Sequence, residues 1–299
     1  MRIRKPGKVR EGLWALGREE SSVYLLEGDG ASMIVSGGMS YIAAEVLQQI
    51  KEFGIDEGKI EKFLILHSHF DHTGIVPFFK RRHPGMEVLA SERAWEILQM
   101  PKAVSTINEF SRNVAERMGR GEVYSSYDLD WRDDVTGKAV REGDRIDVGG
   151  VEVLILETPG HSSCSITAYV PQWKVLFPSD GGGIPFMETI IPSGNSNYTQ
   201  FQESLEKLKG LEVDYYCADH YGHIIGEEAG GIIRQSIDNA RRLRIQIEET
   251  LRSEKDVDAA SKKLVSSFYQ ENPDYFLSPE IFTGVFRQMV RHIASTMEK

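Results

Sequence analysis

Two cysteines, Cys164 and Cys217, are all that the 299 residues contain. That is too few for the disulfide framework of a small secreted domain, and a chain 40% hydrophobic has apolar material enough for a core without one. Long apolar runs are missing too. None approaches the ~18 residues a membrane-spanning helix needs, and the basic opening Met1 to Arg10 is not followed by the apolar stretch of a secretory leader. The expectation is a soluble, cytoplasmic protein with no membrane partner. Positive charge is in short supply: 35 Lys and Arg stand against 45 Asp and Glu, for a formal net charge of −10. Such a balance opposes phosphate-driven affinity, so no nucleic-acid partner is expected. The basic clusters at Met1 to Arg10, Lys80 to Arg82 and Arg241 to Arg244 read as solvated faces. No Ser-His-Asp elbow or catalytic Cys-His pair is apparent, which leaves water as the nucleophile of any hydrolysis.

What is present is a mixed α/β pattern. Short apolar runs at Val23 to Gly28, Ala31 to Gly38, Lys62 to His67, Met86 to Ala90, Val151 to Thr158, Ser165 to Val170 and Lys174 to Asp180 read as strands. Helices are expected over Tyr41 to Gly54, Ile75 to Arg82 and much of 91–120. From about Glu227 the pattern is helical only. Ile233, Ile237, Ala240, Leu243 and Ile247 share one face, and Ile281, Val285, Met289 and Ile293 form a second stripe after the helix start Ser278-Pro279-Glu280. This predicts an α/β body over 1–226 and a helical extension over 227–299. Two β-rich halves with helices outside suit a sheet-on-sheet sandwich.

Histidine is scarce, with eight in all, yet three of them and an aspartate fall within six positions in the stretch LILHSHFDHTG. Titratable side chains at the end of a buried strand are costly unless something satisfies them. In an extended backbone His67 and His69 point to one side, because side chains repeat every second residue; Asp71 and His72 follow in a turn. Nitrogen and oxygen donors without cysteine suit a divalent ion such as Zn, Mn or Fe. Four ligands do not complete two sites, so further donors should stand at other strand ends. His161, Asp180 and His220 do. His223 competes with His220, while Cys164 reads as a packing residue and Thr73 and Ser162 as braces.

The set His67, His69, Asp71, His72, His161, Asp180 and His220 resembles the ligand pattern of the metallo-β-lactamase fold superfamily. The resemblance implies an αββα metallo-β-lactamase sandwich, here with a C-terminal helical extension, and two divalent metal ions. It further implies that His67, His69 and His161 hold one ion, that Asp71, His72 and His220 hold the other, and that Asp180 bridges them. One departure stands out. Many members carry an aspartate after the strand that leads to the first helix, where this chain has Ser36-Gly37-Gly38. The stretches HSHFDHTGIVPFF, EVLASERAWE, GHSSCS and PDYFLSPEIFTG are similar, more narrowly, to the PqsE-type quinolone-signal response thioesterases. In these, C-terminal helices cover the active-site entrance.

Two ions about 3.5–4 Å apart can supply a hydroxide for attack, because a bound divalent ion lowers the pKa of water to ~7. Asp71 would act as the catalytic carboxylate, orienting water or taking up a proton. A thiol, of pKa ~8.5, leaves as the thiolate without much help, and no convincing proton donor for an amide nitrogen is visible. The chemistry therefore favours a small-molecule thioester, on CoA or glutathione, or an activated ester. A phosphodiesterase on the same centre stays open, as does a regulatory protein acting through its helical tail. The tail's apolar stripes must pack on the body or on a second copy, as in a homodimer. Tyr275, Phe276, Phe282 and Phe286 are candidates either for the inner face of a cap or for its core.

Overall fold

The computed structural model describes residues 1–275 and 277–297; Phe276 lies outside the described residues. The chain divides into two compact units. One comprises Met1–Glu157, Cys164–Ser179 and Glu212–Gly230; the other comprises Thr158–Ser163, Asp180–Leu211 and the residues from Gly231 onward.

The first unit is built on two seven-stranded sheets. One runs, in spatial order, Gly7–Arg10, Leu13–Arg18, Ser21–Glu27, Ser32–Val35, Ile60–Leu64, Glu87–Ser91 and Gly137–Val140. The second runs Arg2–Ile3, His223–Ile225, Tyr215–Cys217, Val175–Phe177, Ile166–Val170, Val151–Glu157 and Arg145–Val148. Apolar side chains from both meet in one core, among them Tyr24, Leu26, Val35, Leu64, Leu66, Val153, Ile155, Ile166, Ala168 and Phe177. Strand Ile60–Leu64 lies between two parallel neighbours, Ser32–Val35 and Glu87–Ser91. Glu61 is exposed, but residues 63–66 are fully buried between these neighbours and beyond the strand, and backbone covered on both faces reads as continuous apolar sequence, which explains the run before the histidine cluster. The strand ends at Leu64, so His67 stands in the loop beyond it.

That loop is held by backbone. Gly37 N–H donates to the His72 carbonyl at 2.8 Å, Gly74 N–H to the Gly38 carbonyl at 2.8 Å, and Ile75 N–H to the Gly37 carbonyl at 3.0 Å. A Cβ on Gly37 would sit 2.6 Å from the His72 oxygen, and one on Gly74 would sit 2.2 Å from the Ser40 nitrogen. The departure at Ser36-Gly37-Gly38 thus has a local reason: two backbones approach too closely for side chains.

In the second unit, helices Tyr198–Leu208, Val257–Glu271, Pro279–Met297 and most of Glu227–Glu254 accompany the hairpin Ile184–Phe186 and Thr189–Ile191. Asn239 donates to the Ile190 carbonyl at 2.6 Å, Ser236 to the Gly182 carbonyl at 2.7 Å, and Tyr198 to the Ala240 carbonyl at 2.9 Å. Phe268, Tyr275, Phe282 and Phe286 stack into an aromatic core with centroid separations of 4.6 to 5.5 Å, and Phe186 joins through Tyr275. Tyr275, Phe282 and Phe286 are therefore core groups of this unit. The last helix is rotated from the stripe its spacing suggests: Phe282, Phe286, Met289, Val290 and Ile293 are buried, while Ile281 is 40% exposed. The fold is the mixed α/β, two-sheet arrangement with a C-terminal helical region that the sequence implies.

Several members of the basic clusters form ion pairs. Arg2 meets Glu228 at 2.7 Å, Arg81 meets Asp134 at 2.7 Å, Arg82 meets Glu57, and Arg241 meets Glu206 at 2.6 Å. No helix among the described residues is long and apolar enough to cross a membrane.

His223 is buried in an inner strand of the second sheet. It lies on strand His223–Ile225 between Ile3 and Cys217, 2% exposed, and its ring nitrogens find no hydrogen-bond partner among the described residues. Burial pushes its pKa down from 6.5 to about 4. The unfolded chain therefore takes the proton first. Its contribution to stability is complete above about pH 6.5 and is lost as pH falls toward 4. Between pH 7.5 and pH 5 this group should cost about 2 kcal/mol of unfolding free energy. Denaturant unfolding of metal-free protein at the two pH values should show that loss, and His223→Leu should lose less over the same interval. An identical pH dependence in the variant would show that His223 is not the group responsible.

Candidate metal centre

Four of the seven residues singled out from sequence lie together just past strand Ile60–Leu64. The backbone at His69 is extended, with φ −70° and ψ 152°, and a single 3₁₀ turn then covers Phe70–His72. The ring of His67 lies 4.7 Å from that of His69 and 4.0 Å from that of His72, centroid to centroid. Thr73 Oγ1 donates to the His69 carbonyl at 3.1 Å and braces the turn, as its position suggested.

A second loop brings His220. It follows strand Tyr215–Cys217 and is tied to strand Ser21–Glu27 of the other sheet and the turn before it. Ser22 N–H donates to the Asp219 carbonyl at 2.7 Å, Tyr221 N–H to the Glu19 carbonyl at 2.6 Å, and the Tyr24 hydroxyl reaches the Ala218 and Gly222 carbonyls at 2.7 and 3.0 Å. Gly222, at φ 79°, closes the turn where a Cβ would sit 2.1 Å from the Ile3 oxygen. As a result Asp71, His72 and His220 offer ligand atoms within 4.8 Å of one another. Asp71 Oδ2 is 3.5 Å from His72 Nε2 and 3.7 Å from His220 Nε2. His223, three residues on, is in no such group among the described residues.

The second unit carries the other two predicted residues. His161 Nε2 lies 3.5 Å from Asp180 Oδ2. Ser193 links them: its carbonyl takes the His161 Nδ1–H at 2.7 Å, and its hydroxyl donates to the Asp180 carbonyl at 2.6 Å. Gly160, at φ 132°, lets the chain pass Phe201, whose nitrogen would lie 2.2 Å from a Cβ there.

Every histidine with a described Nδ1 contact in these sets uses that nitrogen to grip the protein. His67 Nδ1 meets Ser179 Oγ at 3.1 Å, His72 Nδ1 meets Asp219 Oδ2 at 2.8 Å, His161 Nδ1 meets the Ser193 carbonyl, and His220 Nδ1 meets the Glu20 carbonyl at 2.7 Å. Carbonyl and carboxylate partners accept, so Nδ1 carries the proton and Nε2 keeps its lone pair for a ligand. The donor set, imidazole and carboxylate with no thiolate, fits a divalent ion. Neither cysteine is in a ligand group among the described residues. Burial, and next the charge of Asp219, hold the Cys217 thiol well above its ordinary pKa, and Cys164 is buried with its sulfur 3.3 Å from Ser68 Oγ.

Three supporting residues escape sequence reasoning: Ser179, Ser193 and Asp219. Asp219 is 2% exposed, and Ser179 also donates its hydroxyl to Asp219 Oδ2. Ser179 takes a left-handed backbone, φ 48°, which costs a non-glycine residue roughly 1–2 kcal/mol. The signal available for both Ser179 and Asp219 was position, since each immediately precedes a predicted ligand.

Comparison with known proteins gives the family. The family model described as the Metallo-beta-lactamase superfamily matches residues 16–220. The probable metallo-hydrolase YqjP of Bacillus subtilis is 26% identical over 246 residues, which are 73% of this chain and 72% of that protein. A hydroxyacylglutathione hydrolase of Idiomarina loihiensis is 27% identical over 205 residues, 65% of this chain and 63% of that protein. One from Rhodopseudomonas palustris is 38% identical over 89 residues, so that the chain spans about a third, 32%, of its length. Among solved structures, a metallo-beta-lactamase family protein from Thermus thermophilus superposes with a TM-score of 0.70 at 20% identity, covering 97% of this chain and 95% of that one. The rubredoxin oxygen:oxidoreductase of Desulfovibrio gigas superposes at 0.55 with 16% identity, covering 84% and 70%. With the family model extending over more than half of its residues, this chain belongs to the metallo-beta-lactamase superfamily.

Proposed function

We propose that the protein is a two-metal hydrolase of small-molecule thioesters. The observation that carries the metal centre is the shared posture of His67, His72, His161 and His220, each gripped at Nδ1 and left with Nε2 as the donor atom. In this reading His67, His69 and His161 hold one divalent ion; Asp71, His72 and His220 hold the second; Asp180 is shared. When bound, the ions polarise the substrate carbonyl and lower the pKa of water to ~7.

The chain's own groups do the rest. Asp71, half-buried beside His72 and His220, orients the attacking water and takes up its proton on a carboxylate oxygen. The leaving group then decides the substrate class. A thiolate departs without a protonated partner at neutral pH, and no acid positioned for an amine is needed. Relatives named for hydrolysing hydroxyacylglutathione, whose acyl group is carried on a thiol, support the same choice, as does the resemblance of PDYFLSPEIFTG to the quinolone-signal response thioesterases.

Protein purified without chelator should carry close to two metal ions per chain by elemental analysis. It should hydrolyse acyl-CoA or acylglutathione thioesters in preference to phosphodiesters and lose that activity to a strong chelator. Full activity in verified metal-free protein would overturn the centre; a preference for phosphodiesters would overturn the substrate class. Because ligating histidines must be neutral, activity should fall in acid.

Two variants test the ligand assignment. His220→Ala should lose one ion while His223→Ala keeps both; the reverse result would move the ligand to His223. Asp180→Asn keeps the shape and removes the charge. It should lower kcat by at least about tenfold, the scale typical of altered metal-site groups. An unchanged kcat with both ions retained would place Asp180 outside the centre.

A further inference from the structure

We propose that Asp219 is a positioning residue that sets two metal-binding histidines at once: His72 directly, and His67 through the Ser179 hydroxyl. The proposal rests on the reading of the site as a metal centre, but it concerns residues outside the ligand set.

One carboxylate oxygen carries the arrangement. Asp219 Oδ2 accepts from His72 Nδ1–H at 2.8 Å and also from the Ser179 hydroxyl. Because Ser179 spends its only proton on Asp219, its oxygen can only accept from His67, 3.1 Å away. His67 Nδ1 must then bear the proton. The direction of every bond follows from the carboxylate, which can only accept. Both rings are fixed in the tautomer that leaves Nε2 a lone pair. By the proposed assignment His67 serves one ion and His72 the other, so a single side chain would prepare one ligand on each.

The surroundings fit such a role better than a packing one. Asp219 is 2% exposed and His67 and His72 are 0% exposed, and a carboxylate buried to that degree is costly unless cationic or hydrogen-bonded partners offset it. Ser179 is held at a backbone angle unfavourable for serine, φ 48°, and that angle accompanies a hydroxyl set between His67 and Asp219. The Asp219 backbone is itself pinned, its carbonyl accepting from Ser22 N–H at 2.7 Å. The carboxylate is thus anchored to the strand Ser21–Glu27 as well as to the two rings. Carboxylate–histidine–metal arrangements raise ligand basicity as well as fixing orientation, and their loss typically weakens metal binding by about 10–100-fold.

The test measures zinc binding to chelator-stripped protein by competition with a chromophoric chelator, and ring tautomers by ¹⁵N-histidine NMR of the metal-free state. Asp219→Ala should weaken both zinc-binding steps by about 10–100-fold and mix the tautomers of His67 and His72. Asp219→Asn, which keeps an acceptor without the charge, should recover much of the tautomer order and part of the affinity. Ser179→Ala should weaken one step only, and Asp219→Ala/Ser179→Ala should be no weaker than Asp219→Ala alone. Thermal melting of the metal-free variants separates these effects from simple unfolding. A folded Asp219→Ala with both affinities and both tautomers unchanged would overturn the proposal. So would an unchanged Ser179→Ala, even if the Asp219 variants do not fold. Wild-type protein that binds no zinc or other divalent ion would overturn the metal centre itself. Wild-type protein that binds zinc but hydrolyses no thioester would overturn the substrate class and leave this inference standing.

Discussion

An imidazole becomes a dependable metal ligand only when its second nitrogen is held. In this chain that constraint is met by ordinary fold interactions: a serine hydroxyl for His67, a carboxylate for His72, and the main-chain carbonyls of Ser193 and Glu20 for His161 and His220. None of these partners is adjacent in sequence to the histidine it holds. The posture of each ring is therefore a property of tertiary structure, and the histidine motif alone does not set it. Rotating any of these rings would cost a buried hydrogen bond.

The loops that carry the rings depend in turn on close backbone approach. Gly37 and Gly74 let the 36–40 segment lie against the 72–75 segment and exchange three main-chain hydrogen bonds. On the other side, the Asp219–His220 loop is stitched to the 19–24 segment by Ser22, Tyr221 and the Tyr24 hydroxyl. Main-chain bonds of this kind are insensitive to most side-chain changes. Sites built on loops gain precision when the loops themselves are so restrained.

The approach to the site was readable because fully buried backbone is written as unbroken apolar sequence, as over residues 63–66. The donors were readable because His67 to His72 are too densely polar for such a place. The N-terminal strands Arg2–Ile3 and Gly7–Arg10 were not, since two to four residues rich in Arg and Lys show no period. Arg2 meets Glu228 and Arg10 lies over the Trp173 ring, partners that only the fold brings near. Ile281 misled for a related reason. Apolar residues of two neighbouring series run along this helix, and packing against Phe268 and Tyr269 buries the face that contains Phe282 and leaves Ile281 outside it. Asp219 and Ser179 could not be ranked from sequence, because buried acceptors of histidine protons look like any polar loop residue until the rings they serve are in place.

The fold leaves the reaction open, since proteins as unlike as a rubredoxin oxygen:oxidoreductase and a metallo-beta-lactamase family protein superpose on this chain. What distinguishes chemistries on a shared scaffold is the charge that the site must absorb and the group that must leave. With only nitrogen and oxygen donors, and with both cysteines buried, Cys217 kept neutral by burial, the described residues offer carboxylates and imidazoles as their proton-handling groups. Four of the imidazoles are committed through Nδ1 to the protein. A reaction whose leaving group needs no proton places the smallest demand on such a site, and a thioester meets that condition where an amide does not.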